Sequence, residues 1–283
     1  MIQRIIFHSG LILDKIKGEI AIAPDALYWF LKDRACRRNI KHLSEQELRR
    51  TRTSETVFIF GSGSSIQELN MSDWAHFEKH NTMSFNYFAN KKEIRVDYHY
   101  IREIGFRDVR RAYWIPALKK YVNLIKCNPF YNDTIIILQH GWRGVNGNRI
   151  IGMRLLPENT RVFRYKNVYA RHKTIHPSDS FAKGIVHGAG TLTDCVNFAY
   201  ILGWRKIILV GVDLYDNRYF WLDHGITRRS RGLNYTSNDP YPTADLHVQQ
   251  LGYWHAYMAQ TGVELYVFNP KSRLAETLPV YHH

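Results

Sequence analysis

The chain has 283 residues, of which 45% are hydrophobic and 23% are charged, which is the composition of an ordinary globular protein. Its formal net charge of +14 predicts an anionic partner: nucleic acid, a phospholipid surface, or a phosphorylated or carboxylated substrate. No apolar run reaches the roughly 18 residues of a membrane span, and three widely spaced cysteines favour neither a disulfide framework nor a zinc site. Because the first residues also lack the pattern of a secretory signal, we expect a cytoplasmic protein.

The first 52 residues differ in composition from the rest. An apolar-periodic stretch around Leu27 and Leu31 leads into a run of lysines and arginines with few acidic neighbours. This pattern predicts one or two helices with a cationic face, ahead of a main domain over residues 53–283. Two interpretations stay open for this segment. It is either a solvated helical appendage packed on the main domain, or a patch that docks the protein peripherally on anionic lipid of the inner membrane face.

From residue 56 onwards, short apolar segments alternate with helical patterns. Apolar runs between turn residues predict strands over residues 57–60, 82–86, 98–101, 134–138, 207–212 and 264–268. Helices are predicted over residues 66–74, 190–202 and 246–261. Strands that alternate with helices build a parallel, doubly wound sheet, so we expect an α/β fold with a single Rossmann-like sheet flanked by helices. Residues 214–245 lack apolar periodicity and follow the carboxyl end of a central strand, which favours a lid over a ligand site.

The turn after the first strand of this domain has a composition that suits an anion. Gly61 and Gly63 let the backbone turn sharply, while Ser62 and Ser64 add hydroxyl donors near the start of a helix. The turn is not a P-loop, because no Gly-Lys-Ser/Thr follows it, and the third glycine of the dinucleotide fingerprint is missing. A purely structural turn explains the same residues, so both interpretations stay open.

Carboxylates are too sparse in this sequence to predict a metal site. Transferases that hold Mg²⁺ or Mn²⁺ need clustered carboxylates. The sequence contains no Asp-x-Asp, and Asp213 with Asp216 is the nearest pair. We therefore expect neither a metal nor another cofactor.

A set of short motifs points to a family. They are residues 61–65 after the first strand, residues 85–88 after the second, Gly190-Thr191 at the start of a helix, residues 202–215 around the central strand, and residues 264–272 at the last strand. In this order they resemble the bacterial sialyltransferases of the Campylobacter lipooligosaccharide type. The resemblance spans about residues 56–275 and implies a GT-A-like variant fold.

The resemblance also implies an activity. Enzymes of this family are inverting, metal-independent glycosyltransferases that move an acidic nine-carbon sugar from its CMP-activated form to a glycan acceptor, here in capsule or lipopolysaccharide synthesis. The residues that it assigns to donor binding are Gly61, Ser62, Gly63, Ser64, Asn86, Thr191 and Asp213. It makes Tyr215 and Tyr219 the hydrogen-bond donors to the departing CMP phosphate.

This chain departs from the family pattern at two positions. Ser62 stands where the pattern has asparagine, and the asparagine of a following strand has no match between residues 98 and 105. The donor sugar is therefore open among sialic, pseudaminic, legionaminic and Kdo-like acids. The acceptor, the linkage and the oligomeric state are open too.

The attacking hydroxyl of such a reaction needs a general base, and histidine has the ordinary pKa that suits this role. His247 is the first candidate, because it lies between the predicted lid and a helix, as the family's base histidine does, with Asp245 nearby in sequence. His224 is its rival and His187 the third candidate. Arg228, Arg229 and Arg231 in the lid either hold the carboxylate or phosphates of a substrate or are solvated.

Two other classes of function remain as alternatives. A Mg²⁺-dependent nucleotide or pterin pyrophosphokinase-like enzyme has similar glycine-rich turns but needs the carboxylate cluster that is missing here. A basic nucleic-acid-binding module would account for the charge and for the 14% of aromatic residues. No known nucleic-acid motif occurs, so we expect no nucleic-acid partner.

Overall fold

A parallel sheet of eight strands forms the centre of the molecule. The computed structural model describes residues 26–102, 111–140, 145–169, 175–222, 229–230, 233–234 and 243–283. In chain order the strands of the sheet are β1 (Lys41–His42), β2 (Thr56–Phe60), β3 (Asn81–Phe85), β4 (Tyr98–Ile101), β5 (Ile135–Gln139), β6 (Arg161–Tyr165), β9 (Lys206–Val210) and β12 (Glu264–Val267). In space they follow the order β1-β6-β5-β4-β3-β2-β9-β12, with every neighbouring pair parallel.

Helices cover this sheet, and two strand pairs lie outside it. The helices are α1 (residues 26–36), α2 (Glu45–Arg49), α3 (Met71–Phe77), α4 (Arg111–Lys126), α5 (Val145–Gly152), α6 (Thr191–Leu202) and α7 (Ala244–Ala259). The extra pairs are the parallel β7 (Asn167–Tyr169) with β8 (Ile185–His187), and the antiparallel β10 (Arg229–Ser230) with β11 (Leu233–Asn234). None of the helices within the described ranges is long and apolar enough to cross a membrane.

The predicted α/β class is confirmed, and the reason lies in the burial of the central strands. Val57 and Ile59 of β2 face a cluster with α6 and α7, whereas Phe58 and Phe60 face a second cluster with α3, α4 and α5. Successive side chains of a strand point to opposite faces, so a strand covered on both sides must be apolar throughout. That is why β2, β5 and β9 read as continuous apolar runs.

The described part of the predicted N-terminal segment packs as part of this sheet. β1 pairs with β6, and Leu48 of α2 is buried in the core. In α1 the buried carboxylate of Asp33 accepts hydrogen bonds from Arg37 at 2.9 and 2.7 Å and from Arg164 of β6 at 2.7 Å. These contacts attach residues 26–52 to the edge of the domain.

The order in which the chain adds strands to the sheet reverses between the neighbouring strands β2 and β9. From β2 it proceeds through β3, β4, β5 and β6 on one side, and it then returns to place β9 and β12 on the other. The carboxyl ends of β2 and β9 therefore border the crevice where open α/β sheets bind their ligands.

Candidate active site

The Gly–Ser turn lies in this crevice, tied to the end of β9. The amide of Gly61 donates to the carbonyl of Val210, and that of Gly63 donates to the carbonyl of Gly211, each over 2.8 Å. A Cβ on Gly61 would lie 2.4 Å from the Gly211 oxygen, and one on Gly63 would lie 2.3 Å from the Asp213 carboxylate, so both positions require glycine. The buried hydroxyl of Ser62 has no hydrogen-bond partner among the described residues, although buried polar groups normally have one.

Asp213, which follows β9, fixes the Gly–Ser turn by hydrogen bonds. Its buried carboxylate accepts hydrogen bonds from the amide of Ser65 over 2.9 Å, from the hydroxyl of Ser65, and from the amide side chain of Asn269 over 3.0 Å. Ser65, Asp213 and Asn269 follow β2, β9 and β12, respectively, so one carboxylate joins three strand ends. Both of its oxygens are engaged inside the protein, which gives Asp213 a part in forming the site.

The two tyrosines predicted to assist the leaving group flank the same turn. A backbone bridge joins Tyr219 to Gly63, and the next amide, of Phe220, donates to the carbonyl of Ser62 over 3.3 Å. Burial and then the Asp213 carboxylate raise the pKa of Tyr215, against a smaller opposite effect of the Ser64 hydroxyl. Its phenol therefore stays protonated at neutral pH and remains a hydrogen-bond donor.

Asn86 lies at the carboxyl end of β3, next to the Gly–Ser turn in the sheet. Its backbone is left-handed, with φ 53°, a conformation that asparagine tolerates better than most residues. Tyr87 stacks on Trp221 with ring centroids 4.3 Å apart. Since Trp221 lies in the first part of the predicted lid, this stack ties the beginning of the lid to the turn that carries Asn86.

His247 lies in the first turn of α7, where it is buried. Its Nδ1 atom is 2.8 Å from the carbonyl oxygen of Thr243, and a carbonyl can only accept, so Nδ1 carries the proton and Nε2 is the basic nitrogen. Burial is the main cause that lowers the pKa of His247 to about 4, against the opposing effect of the Thr243 hydrogen bond and with a smaller lowering by His187. The ring is therefore neutral at pH 7. Asp245 instead forms an ion pair with Arg273 over 2.8 Å.

His187, the third base candidate, belongs to a buried ionic cluster beside His247. Its Nδ1 atom is 2.7 Å from the Asp194 carboxylate, and its Nε2 atom is 2.5 Å from the Arg102 guanidinium. Arg102 and Asp194 are themselves 3.2 Å apart, with the aspartate fully buried. Since a guanidinium can only donate and a carboxylate accepts, Nε2 of His187 accepts from Arg102 and its Nδ1–H donates to Asp194, so both ring nitrogens are occupied.

Sequence reasoning missed Arg102 and Asp194 as members of the site. Each carried a signal: Arg102 directly follows an apolar strand, and Asp194 interrupts an apolar helix. Thr191, a predicted donor contact, begins α6 next to Gly190, in the same first turn as Asp194. The elements that assemble these residues are β4, β8, α6 and α7.

Several predicted residues lie outside the described part of the chain. These are His224, Arg228 and Arg231, while Arg229 is described only as backbone in β10. Within the described ranges, no group of three or more histidine, cysteine, aspartate or glutamate side chains is arranged to hold a metal ion. The donor, catalytic and base assignments remain predictions.

No protein-family model and no curated protein sequence matches the chain. Among solved structures it is similar to the sialyltransferase CstII from Campylobacter jejuni in complex with the substrate analogue CMP-3FNeuAc, with 13% identity and a TM-score of 0.45 over 80% of this chain and 86% of that one. It is also similar to a point variant of the sialyltransferase CST-II in complex with CMP, with 14% identity, a TM-score of 0.46 and the same coverage. A third structure, CST-II with a trisaccharide acceptor and CMP, has 14% identity and a TM-score of 0.43 over 80% of this chain and 85% of that one.

Proposed function

We propose that this protein is an inverting, metal-independent glycosyltransferase that moves an acidic nine-carbon sugar from a CMP-activated donor to a glycan acceptor. The observation that carries the proposal is the bridge between Gly63 and Tyr219. It brings the beginning of the predicted lid, with Tyr215 and Tyr219, to the Gly–Ser turn at the crevice of the sheet. A phosphate held by this turn would meet the phenol groups of these two tyrosines.

The chemistry follows from the charges that develop in the reaction. An acceptor hydroxyl attacks the anomeric carbon from the face opposite CMP, and Nε2 of His247 takes the hydroxyl proton. The bond from the anomeric carbon to the phosphate oxygen breaks, and its electron pair stays on that oxygen. Hydrogen bonds from Tyr215 and Tyr219 then stabilise the departing phosphate, which is the task that a metal ion performs in other transferases.

The test is a set of CMP-release assays. The protein is mixed with CMP-sialic, CMP-pseudaminic, CMP-legionaminic or CMP-Kdo donors and with oligosaccharide acceptors, in the presence and absence of EDTA. We expect CMP release with at least one donor, unchanged by EDTA, and a product of inverted anomeric configuration by NMR. Release that stays at background with every donor refutes the proposal, and loss of activity on chelation removes its metal-independent part.

We also propose that α1 docks the enzyme on the cytoplasmic face of an anionic membrane, where a glycolipid acceptor would lie. Leu27, Tyr28 and Leu31 expose 45%, 49% and 55% of their surface, and the cations of Lys32 and Arg34 lie on the same short helix. Apolar side chains beside cations suit an anionic lipid interface. We expect sedimentation with phosphatidylglycerol vesicles but not with phosphatidylcholine vesicles. It should weaken in Leu31→Glu, and equal binding to both vesicles would contradict the proposal.

A further inference from the structure

A chain of polar side chains runs through the apolar core beneath the turn that carries Asn86. Ser84 of β3 and His99 of β4 are paired in the register of the sheet, and the Ser84 hydroxyl is 2.7 Å from Nδ1 of His99. The Tyr131 hydroxyl lies 2.9 Å from that of Ser84, and the Tyr121 hydroxyl lies 2.5 Å from Nε2 of His99. All four side chains are buried.

The last hydrogen bond of this series joins a buried side chain to the backbone of the Asn86 turn. The Tyr121 hydroxyl donates to the main-chain carbonyl of Asn86 over 2.8 Å. The ring of Tyr121 also makes an edge contact with Tyr87, at 5.4 Å between centroids, and Tyr87 in turn stacks on Trp221. One buried tyrosine thus touches both the donor-contact candidate Asn86 and the residue that holds the beginning of the lid.

The position of every proton in this series of hydrogen bonds follows from its last acceptor, the Asn86 carbonyl. The Asn86 carbonyl can only accept, so the single proton of Tyr121 is used there, and Nε2–H of His99 must donate to the Tyr121 oxygen. Burial lowers the pKa of His99 to about 3, so the ring is neutral and its Nδ1 accepts from Ser84. The Ser84 oxygen then accepts from Tyr131. All bonds point the same way, from Tyr131 to Asn86, and bonds in such a chain polarise one another.

We propose that Tyr121 is a positioning residue for donor binding, which holds Asn86 in its left-handed conformation through this chain. The inference rests on the proposed function, because it takes the ligand of Asn86 to be the CMP part of the donor. Tyr121 itself touches no substrate. It acts on the Asn86 backbone through the hydrogen bond, and on the Tyr87 ring through the edge contact.

The test compares two substitutions of the same kind. Tyr121→Phe removes the hydroxyl bonded to Asn86. Tyr131→Phe removes a hydroxyl of similar burial at the far end, where Ser84 still donates to His99 without it. We expect CMP to bind about three- to tenfold more weakly to Tyr121→Phe, from the usual net worth of one hydrogen bond, and with unchanged Kd to Tyr131→Phe. Equal effects of the two variants on CMP binding would overturn the inference.

Two further measurements separate positioning from general destabilisation and from an error in the proposed function. In a double-mutant cycle, Tyr121→Phe should add almost nothing to the loss of CMP affinity in Asn86→Ala, and additive losses would contradict action through Asn86. Amide hydrogen exchange without ligand should become faster over residues 86–91 in Tyr121→Phe and not in Tyr131→Phe. If the unaltered protein fails to bind CMP, the proposed function fails, while the exchange data still decide whether Tyr121 holds the turn.

Discussion

A Cβ atom placed on Gly190 would lie 3.3 Å from Nε2 of His247. Gly190 precedes the first residue of α6, and its φ of 171° is an extended conformation that any residue adopts. The space that glycine leaves here therefore adjoins the basic nitrogen of His247. The backbone conformation at this position does not itself require glycine.

Gly190→Ala should accordingly impair catalysis more than stability. The added methyl group crowds Nε2, and a small displacement of a base from its substrate is costly in rate, so we expect kcat to fall about tenfold or more. Thermal unfolding should shift by only a few degrees, since the backbone conformation suits alanine. An unchanged kcat would show that this face of the ring takes no part in the reaction.

His247→Ala should lower kcat by several hundredfold or more, within the roughly 10²–10⁴ range of general acid–base catalysis. His255→Ala, about two turns further along the same helix, is the control and should keep a nearly normal kcat. The acid limb of kcat/KM should lie near pH 4, where the His247 ring takes up its proton, and not near 6.5. Steady-state kinetics from pH 4 to 8 test this, and a limb at 6.5 would exclude His247 with its present pKa.

The same low pKa makes stability depend on pH. The ring of His247 has a pKa of about 4 in the folded protein against an ordinary value of 6.5. Below pH 6.5 the unfolded chain takes up a proton that the folded protein does not, so the free energy of unfolding falls with pH until about pH 4. His99, whose pKa is about 3, acts in the same direction and continues below pH 4.

The contribution of His247 can be isolated with a variant. Between pH 7 and pH 5 it should amount to about 2 kcal/mol, and urea unfolding of His247→Asn should lack this part of the pH dependence. Parallel curves for the variant and the unaltered protein would mean that the ring is solvated enough to titrate normally.

Tyr215→Phe and Tyr219→Phe test the stabilisation of the leaving group. If each phenol donates to the departing phosphate, each substitution should lower kcat by about tenfold to a few hundredfold with a smaller change in KM. The aromatic ring is retained, so packing at the Gly–Ser turn changes little. A matching rise in KM with constant kcat would instead assign the hydroxyls to uniform substrate binding.

Asp213→Ala should affect folding more than any of these substitutions. It would leave the Ser65 amide, the Ser65 hydroxyl and the Asn269 side chain without their buried acceptor. Unsatisfied buried donors cost about 1–3 kcal/mol each, so we expect several kcal/mol less stability by urea unfolding. Full stability with lost CMP binding would favour the predicted direct contact with the donor.

Several of the elements that the sequence missed are those in which burial and polarity disagree. β6 has arginine at two of its five positions, and the largely buried side chain of Arg164 is neutralised by Asp33 of α1. β1 contributes two exposed residues to the sheet, and β8 is three residues long. Both strands are too short to show a regular pattern of apolar and polar residues. Ser84 and His99 lie on central strands as polar residues, and only the register between β3 and β4 makes them partners.

By itself the sequence determined the α/β class, the central strands and the Gly–Ser turn, because apolar runs and glycines report local conformation and burial directly. It also singled out His247 and the two tyrosines as candidates. The tertiary structure alone decided how they are arranged: that Asp213 joins three strand ends, that Arg102, His187 and Asp194 form one cluster, and that His247 is buried and neutral. These properties depend on contacts between residues as many as 148 positions apart along the chain, and no local pattern encodes such contacts.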